Sequence, residues 1–147
     1  MNTTFSDAYE SFSPGDLHIS PKRIMETYIG AFEAKDADTV LKLIGDRALV
    51  ELPLLKPNRL FGSLEVHRGH QAVFVSADSI HFSIDDSIVQ NETAAIALGH
   101  MGITRNDGSS EYHEIGVVVE KKEQLLHRIS IYFNSRDIRR WADETIV

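Results

Sequence analysis

The periodicity of the chain changes near position 80, and that change limits the folds open to it. From Ile80 onward the signal is all strand, in four successive segments: "IHFSIDDSIVQ", "TAAIALGHMGITR", "SEYHEIGVVVE" and "QLLHRISIYFN". "NDGS", between the second and third, is a strong hairpin turn, because Asn, Asp and Gly tolerate positive φ. "EKKEQ", before the fourth, is a weaker one. Ahead of position 80 the spacing is mainly helical. Helices first and an antiparallel meander after imply an α+β fold, with the helices on one face of a curved sheet.

The helices can be placed from their caps. Ser20 is a good N-cap and Pro21 suits the first helical position, where a missing N–H costs nothing. Ile24, Tyr28, Ala31 and Phe32 then share one face. Asp36 can cap a second, short helix with Ala37, Val40, Leu41 and Ile44 as its apolar side, and Gly45 falls where a terminal glycine is favoured. "RALVELPLL" reads as a strand ended at or soon after Pro53. A long connection with Pro57 and Gly62 leads to a third helix from about Gly69 to Ser79, with Val73, Phe74 and Ala77 inward. "SRDIRRWADE" closes the chain as a short helix. Residues 1–19, polar and carrying Pro14-Gly15, read as an N-terminal arm, and residues 20–147 as one domain.

Composition narrows the function. A formal charge of −7 argues against nucleic acid or an anionic membrane as partner, since both call for dense positive charge. No cysteine is present, which excludes disulfides, thiolate zinc sites and cysteine nucleophiles. No apolar run approaches the ~20 residues of a membrane-spanning helix. No secretory leader is visible, so a cytoplasmic protein is expected. The seven histidines lack the carboxylate spacing of a metal site, and no phosphate loop or nucleophile elbow occurs. No metal and no cofactor are expected.

Strand parity decides which side chains meet. If Asp107 and Gly108 alone form the turn, Asn106 pairs with Ser109. Met101, Gly99 and Ala97 then share a face with Tyr112, Glu114 and Gly116, and an even-length second loop adds Ile129, Ile131 and Phe133. That set suits the side against the helices. His100 and His113 fall on the opposite face, with Arg128, Ser130 and Tyr132. This open face is too apolar for free water, and a homodimer through it is expected. A one-residue slip at either turn reverses the assignment.

"TYIGAFEAKDADTVLKLIGDRALVELP", followed by "RGHQAVF" and the strand meander, resembles the NTF2-like superfamily, in particular the SnoaL-like polyketide cyclases and the ketosteroid isomerases. The resemblance spans about residues 21–142 and implies a cone-shaped NTF2-like (cystatin-like) fold around a pocket. It implies no cofactor. Tyr28 matches the tyrosine that holds a dienolate oxygen in ketosteroid isomerases. The base position falls on Leu52 and the second oxyanion donor on Gly116. Ile131 stands where limonene-epoxide-hydrolase-like members carry an aspartate. Glu114, one step from Gly116 on the predicted face, then becomes the expected acid or base, because an apolar pocket raises a carboxyl's pKa.

Tyr28 and Glu114 are thus the expected catalytic residues. Phe32, Leu52, Phe74, Met101, Gly116, Ile131 and Phe133 are expected to shape the pocket for a small hydrophobic, carbonyl-bearing ring compound. His70 is a second donor near the mouth, or else a solvent-facing residue at a helix start. A non-catalytic ligand-binding or dimerisation module is the alternative to proton-transfer chemistry.

Overall fold

The computed structural model describes residues 20–55, 58–84, 89–123 and 125–133. The predicted N-terminal arm and closing helix lie outside these residues. In chain order the elements are α1 (Pro21–Glu33), α2 (Ala37–Leu43), β1 (Ile44–Glu51), β2 (Arg59–Phe61), α3 (Ser63–Ser76), β3 (Ala77–Ile84), β4 (Val89–Gln90), β5 (Ala94–Arg105), β6 (Ser110–Lys122) and β7 (Leu125–Tyr132). The strands form one sheet in the order β2-β1-β7-β6-β5-β3, with β4 paired to β5. The α+β class is as expected. The sheet is mixed rather than antiparallel, because β1 and β7 run parallel.

Local chemistry sets the element ends. Ser20 Oγ accepts from the Arg23 N–H at 3.1 Å, and Pro21 opens α1. Asp36 accepts from the Thr39 N–H at 3.1 Å and starts α2. Gly45 has no capping role: Ile44 is already extended and begins β1. Helix α3 starts at Ser63, six residues before the predicted site. Gly62, at φ +85°, turns the chain into it without a side-chain cap, so the usual sequence signal is missing. β2, three residues long, is too short to show alternation.

The register differs from expectation at both hairpins. The β5–β6 loop has three residues. Gly108 N–H donates to the Arg105 carbonyl at 3.0 Å, Arg105 N–H donates to the Ser109 carbonyl at 2.7 Å, and Gly108 takes φ +88°. This is a turn closed by a left-handed glycine. Met101 therefore pairs with His113, His100 with Glu114, and Leu98 with Gly116. At the other end Lys122 pairs with Leu125 and Lys121 with Leu126, as an even loop requires. Glu120 then pairs with Arg128, which makes His127 the extra residue of a bulge. The two slips cancel for β5 and β7, whose predicted faces hold. Between them β6 is inverted: Ile115, Val117 and Val119 face the helices, and Glu114 is exposed on the far side.

One core lies between helices and sheet. Ile24, Tyr28 and Phe32 of α1 meet Val73 and Phe74 of α3 over Met101, Ile103, Ile115 and Ile129. Gly99 is needed where β3 closes on β5: an added Cβ would collide with the Ser83 carbonyl and Ile84 Cα.

Candidate functional site

Two polar clusters face the helical side of the sheet. The deeper one joins α1 to α3. Tyr28 and His70 are both fully buried, and Tyr28 Oη lies 2.7 Å from His70 Nε2. His70 Nδ1 lies 2.7 Å from the Val66 carbonyl, one helical turn back. A carbonyl only accepts, so Nδ1 carries the hydrogen, Nε2 is bare, and Tyr28 is the donor. Burial lowers the His70 pKa from 6.5 to about 4, against the hydrogen bond to Val66 that raises it. Burial also raises the Tyr28 phenol well above its usual value. The pair is therefore neutral. Phe32 and Phe74 pack against the pair, and Phe32 stands edge-on to Phe74 and Phe82, with centroids 5.0 Å and 5.4 Å away.

The second cluster stands at the rim, where β5 ends and β6 begins. Arg105 Nε and Nη2 both donate to Glu111 Oε2 at 2.6 Å. Glu111 Oε1 lies 3.3 Å from His113 Nε2. The imidazole of His113 stacks on the Phe133 ring, with centroids 4.0 Å apart and planes 8° from parallel. Arg105 Nη1 reaches Ser76 Oγ at 3.2 Å, and Asn106 Nδ2 donates to the Val75 carbonyl at 2.7 Å, tying the turn to the end of α3. The hydrogen bonds from Arg105 and then His113 lower the Glu111 pKa, so its carboxylate is charged and can only accept.

This arrangement of helices on a mixed sheet recurs in solved structures. An NTF2-like protein from Anabaena variabilis superposes with a TM-score of 0.68 at 15% identity, covering 78% of this chain and 86% of that one. An uncharacterised cystatin-fold protein from Novosphingobium aromaticivorans gives 0.67 at 21% identity, covering 78% and 98%. A putative polyketide cyclase from Pseudomonas putida gives 0.65 at 15% identity, covering 82% and 96%. The chain has the NTF2-like fold. No family model matches the sequence, and no curated protein does.

Within this NTF2-like frame the predicted residues divide into three groups. Tyr28, Phe32, Leu52 and Met101 are 0% exposed, and Phe74 and Ile131 nearly so. All but Leu52 and Ile131 belong to, or adjoin, the aromatic cluster through Phe32 and Phe82. Phe133 is half-buried at the rim. Glu114 and Gly116 are on the opposite face, so they share no pocket with Tyr28. The physical reason is the three-residue turn, which moves every β6 side chain to the other side. His113 takes the inward place predicted for Glu114. His70 is a buried acceptor, because α3 begins early and places it mid-helix rather than at a helix start.

The outer face has its own chemistry. Glu51 Oε1 accepts from Arg128 Nη2 at 2.9 Å and Ser130 Oγ at 2.7 Å, and Arg59 Nε pairs with Oε2 at 3.2 Å. Burial raises the Glu51 pKa, but these donors outweigh it and leave the carboxyl below its usual value. Ile96 and Val118 form a small apolar cluster beside Leu98 and Tyr132. His100 stacks on the exposed Tyr112, with centroids 5.1 Å apart. Elsewhere, an open depression of about 820 Å³ lies over α2 and α3, lined by Lys35, Asp36, Asp38, Arg68 and Gln71 among others. Phe74 alone of the predicted pocket residues reaches it. No helix among the described residues is long and apolar enough to cross a membrane. Among them no cluster of His, Cys, Asp and Glu suits a metal.

Proposed function

We propose that this NTF2-fold protein binds a small hydrophobic, carbonyl-bearing ring compound at the rim of its helical face, with proton transfer as the associated chemistry. The observation that carries the reading is the His113–Phe133 stack. It presents a half-buried aromatic edge at the border of the buried apolar core, the mixture of apolar wall and few polar groups typical of ligand sites. Ile131 and Met101 extend the apolar wall inward. The fold is also that of a putative polyketide cyclase. Tyr28 does not serve as the carbonyl donor in this arrangement, because its proton is directed at His70. A ligand approaching Tyr28 would meet an acceptor oxygen.

The test is a titration of the isotopically labelled protein with β-tetralone, a fused-ring ketone, followed by NMR. Signals of Phe133, His113 and Ile131 should move while Tyr112 on the outer face stays still. Movement confined to the outer face would remove the reading.

The second reading is a non-catalytic homodimerisation module. Its support is the outer face, which carries the Ile96, Val118, Leu98 and Tyr132 cluster and, further along, Tyr112, which is 71% exposed. The two readings use opposite faces of one sheet, and a single protein can satisfy both.

A further inference from the structure

We propose that His113 is the general base of the rim site, with Nδ1 as the proton acceptor and with Glu111 and Arg105 as its positioning residues. The inference rests on the ligand reading above and names the group that would do its chemistry. Each contact fixes one degree of freedom of the ring. Stacking on Phe133 sets the imidazole plane. Glu111, on the same strand and face, meets Nε2 at 3.3 Å, the long end of a hydrogen bond and usual for a site without substrate. Arg105 holds Glu111 from the neighbouring strand, and Ser76 at the end of α3 holds Arg105.

The tautomer follows from the partner. An ionised carboxylate only accepts, so Nε2 must carry the ring hydrogen. In the neutral ring Nδ1 is then a bare lone pair in the ring plane, with no hydrogen-bond partner among the described residues. Stacking covers a face of the ring and not its edge, where a proton is taken. Glu111 also stabilises the imidazolium formed in the step, as an orienting carboxylate does beside other histidine bases.

The step is a proton abstraction from a carbon next to a carbonyl. The C–H bond breaks and an N–H bond forms at Nδ1. The released pair forms the C=C bond while the carbonyl pair moves onto oxygen, giving an enolate beside an imidazolium. Return of the proton to the same or another carbon restores both partners, so no co-reactant is consumed. The ligand class is a small ring ketone with an acidic α-hydrogen.

The experiment follows α-deuterium uptake into β-tetralone in D2O by proton NMR, with binding measured on the same samples by shift perturbation. Wild type should bind and exchange. His113→Gln, compared with wild type at β-tetralone concentrations that saturate each protein, should lose about a hundredfold or more of the exchange. Glu111→Gln should bind, exchange slowly, and show mixed His113 tautomers in nitrogen NMR, where wild type shows hydrogen on Nε2 alone. Binding without faster exchange, or exchange unchanged in His113→Gln, overturns the base and leaves the ligand reading standing. Absence of binding at Phe133 and Ile131 overturns the ligand reading, and the base with it. A hydrogen found on Nδ1 of the wild-type protein overturns the base by itself.

Discussion

His70 is held neutral by two contacts of fixed polarity, a carbonyl at Nδ1 and a phenol at Nε2. An unfolded histidine takes its proton near 6.5, and this one only near 4. Between those values the unfolded chain carries more protons, so stability rises with pH. The contribution is whole above pH 6.5 and falls by about 3 kcal/mol in total as the pH drops toward 4. Urea midpoints across that range should show the slope in wild type, and His70→Gln should lack it; equal slopes would contradict the assignment. Tyr28→Phe strips the donor from a buried Nε2 and should cost about 1–3 kcal/mol at neutral pH by the same measurement. Tyr28 was legible in the sequence as an inward aromatic at helical spacing. The role of His70 was not, because the start of α3 is marked by a glycine conformation rather than by a capping side chain. His113 was misread for a different cause, which belongs to the strands.

At the scale of elements, alternation gives the face of β5 through Ala95, Ala97, Met101 and Ile103, and that of β7 from Ile129 to Ile131, beyond its bulge. β6 reads "VVV" at its centre and polar residues at its start, so its own pattern does not choose a face. Its parity depends on the turn, and "NDGS" fits both a two-residue and a three-residue loop. The bulge at His127 leaves no local mark either. Two glycines test this geometry. Gly108 is in open space at φ +88°, so Gly108→Ala should cost only the left-handed strain, about 1–2 kcal/mol. Gly99→Ala drives a Cβ into the backbone of β3, which has no side chain to move aside. It should be the more damaging change and should free the amides of β3 to exchange. Thermal melts of the two variants rank them; the reverse order would contradict the register described.

For the molecule as a whole, the open side of the sheet is the proposed surface for a second copy. Tyr112→Glu places a charge on that surface without touching the core, and should shift sedimentation from dimer to monomer while leaving the circular dichroism unchanged. A wild-type protein that sediments as a monomer at all concentrations would remove the proposal. The α+β layout was readable because helical and strand periods separate along the chain. The parallel pairing of β1 with β7 was not, because it joins segments far apart and carries no local signature. That pairing bears on how the chain is made. Glu51 and Ser130, which meet across it, are 79 positions apart. A ribosome releases β1 well before β7 exists, so one side of the early strand emerges with nothing to zip against. The sheet can only be sealed near the end of synthesis, and until then the newborn polypeptide presents a sticky border that the cell has to shield.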